Sequence, residues 1–110
     1  MNQSTQTMKN SIESLLLLGI IFFLSSCGGD MPVADFSWSP AIPAPGKDVT
    51  FTNLSENAKK YEWDFGDSET DDQPNPLHAY KRPGNYTVVL IARSRGDYDT
   101  IAHTVSVLGE

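Results

Sequence analysis

One short window of the chain gathers most of the side chains that could do chemistry. Residues 61–72, YEWDFGDSETDD, bring together Asp64, Asp67, Glu69, Asp71 and Asp72, and His78 follows a few positions on. Carboxylates crowded in this way can do three kinds of work. Two of them can act as general acid and base. Several converging oxygens can hold calcium, which takes about six to eight hard ligands. Alternatively, each aspartate can accept a hydrogen bond from a backbone amide two residues on and stabilise a turn. Catalysis has the least support, because the sequence shows no serine–histidine–aspartate arrangement and no catalytic residue is assigned. For calcium the candidate ligands are Asp64, Asp67, Asp71 and Asp72, but they lack EF-hand spacing and do not repeat. Turn chemistry followed by a solvated acidic loop is the favoured reading, with no metal expected. His78 is read as hydrogen-bonded support for a turn, and His103, between Ile101 and Val105, as a half-buried strand residue.

A second cluster surrounds the single cysteine, Cys27. Residues 15–24, LLLLGIIFFL, are apolar apart from Gly19, follow a polar stretch carrying Lys9, and precede LSSCGGD. A basic start, a short apolar run and small residues at its end describe a secretory signal peptide. A transmembrane helix needs about 20 apolar residues, roughly twice this run. A lone cysteine cannot form an internal disulfide, so it requires another purpose. Leu24-Ser25-Ser26-Cys27 resembles the bacterial lipobox, which implies cleavage between Ser26 and Cys27 and a diacylglycerol thioether on the sulfur. A thiolate is the strongest side-chain nucleophile for that bond. Each buried methylene adds about 0.8 kcal/mol, and two chains anchor where one does not. The expected organisation is a leader over residues 1–26, a lipidated cysteine and tether over 27–34, and one domain over 35–108.

The elements that must position these groups are strands. Phe36 and Trp38 alternate with serines, Val49 and Phe51 with threonines, and Tyr61, Trp63 and Phe65 with acids and glycine. Tyr86, Val88, Leu90 and Ala92 share one face of a longer run, and Val105 and Val107 close the pattern. Short β-rich runs separated by Pro, Gly, Asn and Asp clusters predict an antiparallel sandwich. Residues 94–97, SRGD, read as a hairpin turn, and 54–60, LSENAKK, as a polar connection. In this pattern Trp63 enters the core and Gly66 allows the chain a positive φ at the strand end.

The ordered run Trp63-Asp64-Phe65-Gly66-Asp67, then Pro76, His78 and Tyr80, the Pro83-Gly84 turn, and Tyr86, Val88 and Leu90 resembles the PKD (polycystic kidney disease) domain. Phe36, the VTFTN strand at 49–53 and the closing TVSV at 104–107 extend the resemblance over nearly all of 35–108. It implies an all-β, immunoglobulin-like β-sandwich in which these motif residues are structural. Family members often carry glycine after the core motif, whereas Ser68 stands here. Since serine does not readily take a positive φ, a slightly different turn is expected.

The net charge is −6, and removal of residues 1–26, which carry one base and one acid, leaves it unchanged. An acidic chain is a poor partner for nucleic acid, whose phosphates require Lys and Arg, and for anionic lipid by charge alone. The resemblance implies a non-enzymatic binding or scaffolding module that meets a protein or a carbohydrate. The alternatives are a carbohydrate-binding accessory of a surface glycan system and a calcium-dependent adhesion module. Trp38 and Tyr98, outside the central motif, are the candidate ligand contacts. The expected location is the bacterial cell envelope, attached to the membrane through the lipid. Gly28 in place of aspartate after the cysteine favours the outer membrane of a diderm host. Asn53, Asn85 and Asp99-Thr100-Ile101 match short glycosylation patterns that carry little weight.

Overall fold

The computed structural model describes residues 30–109. The leader, the Ser26–Cys27 cleavage pair and the lipid attachment therefore lie outside the described residues. Seven strands form: β1 Phe36–Ser39, β2 Asp48–Asn53, β3 Lys60–Asp64, β4 Thr70–Asp71, β5 Leu77–Ala79, β6 Gly84–Ser94 and β7 Asp97–Val107. They pair antiparallel throughout, in a three-stranded sheet β1-β2-β5 and a four-stranded sheet β4-β3-β6-β7. Among the described residues no helix is long and apolar enough to cross a membrane. The architecture is the antiparallel sandwich that the alternation predicts, of the immunoglobulin type that the resemblance implies.

The period-two pattern fixes what lies between the sheets. Phe36, Val49, Phe51, Trp63, Val88, Leu90, Val105 and Val107 are all buried there, and Ala92 with them. β-Branched and aromatic side chains suit a pleated, half-buried surface. The rings interlock across the gap: Phe36 meets Trp63 edge-on at 5.1 Å, and Phe51 meets Trp63 at 5.5 Å and Phe65 at 5.3 Å. Trp63 also donates its indole N–H to the Gln73 carbonyl at 2.8 Å, so its one polar atom is satisfied at the edge of the core.

The long hairpin of β6 and β7 runs in register from Gly84↔Val107 to Ser94↔Asp97. Its turn places Arg95 and Gly96 at φ 54° and 87°. Two positive φ angles make a type I′ turn, whose twist matches that of the strands.

Three local expectations change. The segment read as a tether is part of the fold from Pro32 onward: Pro32 and Ala34 are buried, and Val33 exchanges backbone bonds with Glu56 at 2.9 and 2.8 Å. Its Gly/Pro composition suggested a linker, but contacts distant in sequence dock it. The acidic loop contains an edge strand, with Asp71 opposite Trp63 and Thr70 opposite Asp64. Finally, Ser68 does adopt a positive φ, 75°. The turn thus keeps the geometry that glycine would favour, held by the Phe65 amide donating to the Glu69 carbonyl at 3.0 Å.

Gly66, at φ 86°, has the Thr87 carbonyl oxygen 2.6 Å from where a Cβ would stand. Because the obstacle is backbone, no rotamer change relieves it. Gly66→Ala is expected to destabilise the domain by about 1–3 kcal/mol, and Ser68→Gly to stabilise it by up to about 1 kcal/mol through release of left-handed strain. Urea midpoints, compared at unchanged m-value, measure both; a Ser68→Gly protein no more stable than the parent would contradict the turn assignment.

Candidate functional site

The acidic motif resolves into backbone chemistry. The Asp64 carboxylate accepts the Gly66 amide at 2.9 Å, Asp67 accepts Glu69 at 3.2 Å, and Asp71 accepts Gln73 at 2.9 Å. Each is a carboxylate bonded two residues downstream, as aspartate does in turns. Asp67 also meets His78 Nε2 at 2.7 Å. The imidazole lies flat on Phe65, with centroids 4.2 Å apart and planes 6° from parallel. Next to it the Tyr80 hydroxyl donates to the Phe65 carbonyl at 2.9 Å, and the Tyr80 ring stacks on Tyr86 at 4.3 Å. Pro76 is buried in the connection before β5, and Gly84, at φ 154°, opens β6 against the Tyr86 ring. The structure therefore brings the motif residues Asp64, Phe65, Gly66, Asp67, His78, Tyr80, Gly84 and Tyr86 together, while Trp63 lies in the core opposite Leu90 and Pro76 gives its carbonyl to the Phe51 amide. Among the described residues no three His, Cys, Asp or Glu side chains converge to hold a metal.

The two candidate ligand contacts separate. Trp38 is half-buried against the core, its indole N–H donating to the Ala41 carbonyl at 3.2 Å, and its ring leans on Phe36 and His103 at 5.9 and 5.6 Å. His103 sits half-buried on β7, as its position between apolar residues predicts. Tyr98 is the opposite case, 62% exposed on the outer face of the four-stranded sheet.

That outer face is built by strand alternation. Residues 60, 62 and 64 of β3, 89, 91 and 93 of β6, and 98, 100 and 102 of β7 point away from the core. Register puts Lys60 beside Arg93 and Arg93 beside Tyr98. The Arg93 guanidinium lies 5.4 Å over the Tyr98 ring and donates its Nε to Glu62 at 2.6 Å. This ion pair is about half exposed, so it contributes no more than about 1 kcal/mol, but it fixes the direction of the guanidinium. An open cleft of about 700 Å³ lies along the same face, floored by Val89 and Ile91 and edged by Glu62, Asp64, Asp71 and Asp72. Arg93, Glu62 and Lys60 were not singled out from the sequence. The usable signal was the Arg95-Gly96 turn, because a two-residue hairpin fixes the register that pairs Arg93 with Tyr98.

A family profile described as PKD domain matches residues 30–108. Pre-pro-metalloprotease PrtV of Vibrio cholerae is 33% identical over 81 residues, which cover 69% of this chain and 8% of that protein. The chain thus spans less than a tenth of the length of the curated relatives it matches. Among solved structures, carbohydrate-binding modules from the β-sandwich superfamily superpose with a TM-score of 0.68 at 32% identity, over 73% of this chain and 35% of that one. The PKD1 domain of Vibrio anguillarum Epp superposes with a TM-score of 0.63 at 30% identity, over 74% of this chain and 98% of that domain.

Burial, and then the nearby charge of Asp67, push the Tyr80 phenol well above its ordinary value of 10. An unfolded chain releases that proton near the ordinary value while the folded one keeps it. Stability from this group is therefore complete below about pH 10 and declines as the pH rises further. Tyr80→Phe is expected to flatten that alkaline decline and to cost about 1–3 kcal/mol at neutral pH, because the Phe65 carbonyl is left buried without a donor. Urea melts of both proteins between pH 7 and 11 measure the two effects; parallel alkaline limbs would contradict the assignment.

Proposed function

The chain belongs to the PKD family, and on that premise we propose that it is a non-enzymatic, lipid-anchored binding module of the bacterial cell envelope. It engages a glycan through the outer face of its four-stranded sheet. The observation that carries this reading is the Tyr98 ring, exposed at 62% and backed on one side by the Arg93 guanidinium. An aromatic ring held in place by a cation, beside an open cleft with an aliphatic floor, offers a face on which the C–H surface of a sugar can stack and polar groups that can orient it. Similarity to the carbohydrate-binding modules supports sugar as the partner class. The inner face cannot take this role, because its side chains are closed into the core. A protein partner at the same face is the second reading, since a flat sheet face with Val89, Ile91 and Tyr98 also suits protein docking.

Support for the anchor comes from Leu24-Ser25-Ser26-Cys27 at the end of the apolar run. Acyl attachment would hold the module beside the bilayer in spite of its −6 charge, which is unfavourable for adhesion to anionic lipid. Gly28 after the cysteine favours the outer membrane where the host has two. Asp64, Asp67 and Asp71 act as turn acceptors, so neither a catalytic nor a calcium-dependent role is assigned to them.

Two measurements test the proposal. A glycan array is expected to show binding by the full-length protein that falls about tenfold or more in Tyr98→Ala, the loss of one stacking contact; a silent array, or binding untouched by the substitution, would remove the glycan reading. Metabolic labelling with a clickable fatty acid is expected to mark the wild-type protein and to leave Cys27→Ser dark. Label that persists in Cys27→Ser would refute the anchor.

A further inference from the structure

We propose that the ligand of the outer sheet face is an anionic glycan, one bearing uronate carboxylates, held at the end of the sheet next to the β6–β7 turn. The proposal rests on the glycan reading above and specifies its chemistry. In a chain of net charge −6, four of the eight basic residues, Lys59, Lys60, Arg93 and Arg95, line one open cleft of about 390 Å³, with Asp97 as the only carboxylate on its wall. The size is within the range of small-ligand pockets, about 300–1,000 Å³. A neighbouring cleft shares Lys59, Lys60 and Arg93 and adds Glu62 and Asp72.

The arrangement of these cations runs against stability. Lys60 and Arg93 are directly opposite on paired strands, a like-charge pairing that is unfavourable in a sheet. Lys59 is brought to the same place by its amide, which donates to the Arg93 carbonyl at 2.8 Å. Arg95 stands in the left-handed region, φ 54°, where a non-glycine residue is strained. Glu62 meets the cluster through the Nε of Arg93. A carboxylate arriving from solvent would neutralise the cluster, and arginine presents a planar fork that matches it. Tyr98, next to Arg93 in register, adds a ring on which a pyranose can stack while its carboxylate reaches the cations. A phosphate chain or an acidic peptide would use the cations without needing the ring, so the aromatic neighbour favours sugar.

Hexagalacturonate and its fully methyl-esterified form share one skeleton and differ in charge, so titration of the full-length protein with both separates sugar from carboxylate. Binding of the acid at least about tenfold tighter than the ester, weakening with salt, is the expected result. Lys60→Glu should abolish that preference, and Tyr98→Ala should weaken the acid about tenfold, both with thermal midpoints near the parent's. Polyglutamate should bind more weakly than the acid and be indifferent to Tyr98→Ala. Equal affinity for acid and ester overturns the anionic assignment and leaves the glycan reading standing. Polyglutamate binding as tight as the uronate overturns the sugar assignment in favour of general attraction to polyanions. No binding of either hexamer, alongside array binding to neutral glycans that depends on Tyr98, overturns this proposal alone, whereas silence on both overturns the two together.

Discussion

The hydrogen bond from the Tyr80 hydroxyl to the Phe65 carbonyl, 2.9 Å long and buried, is the contact on which the closed end of the sandwich depends. Phe65 follows β3 in the four-stranded sheet and Tyr80 follows β5 in the three-stranded sheet, so this single bond joins the exits of two layers that share no backbone ladder. A carbonyl enclosed among rings must be paired or it costs the full desolvation of the group. The surroundings leave the bond little freedom. Tyr86 stacks on the Tyr80 ring, His78 meets it edge-on at 4.7 Å, and His78 lies flat on Phe65. Asp67 holds the far nitrogen of His78. Phe65, His78 and Tyr80 are each positioned by at least two others, which is how a polar network specifies one arrangement of packed sheets.

This network explains what Asp64 and Asp67 do for the fold. For Phe65 to present its carbonyl inward, the chain must reverse immediately, and Gly66 does so with its backbone pressed against Thr87. The reversal leaves amides at Gly66 and Glu69 in need of acceptors, which Asp64 and Asp67 supply. Asp64 and Asp67 are acidic because a tight turn is built at the end of a strand whose inward residues are aromatic.

The layers and the core were legible in the sequence because Phe36, Val49, Phe51, Trp63, Val88, Leu90 and Val105 alternate with polar residues over runs long enough to show period two. Strands β4 and β5 were not, since pairs such as Asp71 with Trp63 and Val49 with His78 form in segments of two and three residues that carry no period. The docking of residues 32–34 was hidden for another reason. The Ala34 amide bonds to the Asp99 carboxylate at 2.8 Å across 65 positions, and no local pattern announces a partner so distant. Ser68 misled because residue preference is a weak prior, and the bond from Phe65 to Glu69 outweighs the cost of its φ. Of the outer face, Tyr98 could be picked out as an aromatic residue outside the motif. Its cationic neighbours required a register that only the geometry of the Arg95-Gly96 turn supplies.

The outer face that results is polarised along its strands. Lys60 and Arg93 stand at the turn end, Asp64 stands opposite Val89 at the other, and Glu62 and Ile91 lie opposite each other between them. Lys60 and Asp64 are four residues apart on one strand, about 13 Å at the usual rise. That exceeds the screening length of about 8 Å at physiological salt, so the two ends are felt by a ligand as separate charges of opposite sign and do not cancel. A flat, uncharged chain crossing this face would gain its contacts with the apolar floor and with the exposed Tyr98 ring. The anionic glycan proposed above would gain at the turn end and be repelled at the other, which would set where along the sheet it sits. Selectivity of this kind needs no deep pocket: it would arise from the placement of a few charges by strand register on the outer face of a sandwich whose inner face is taken up by the core.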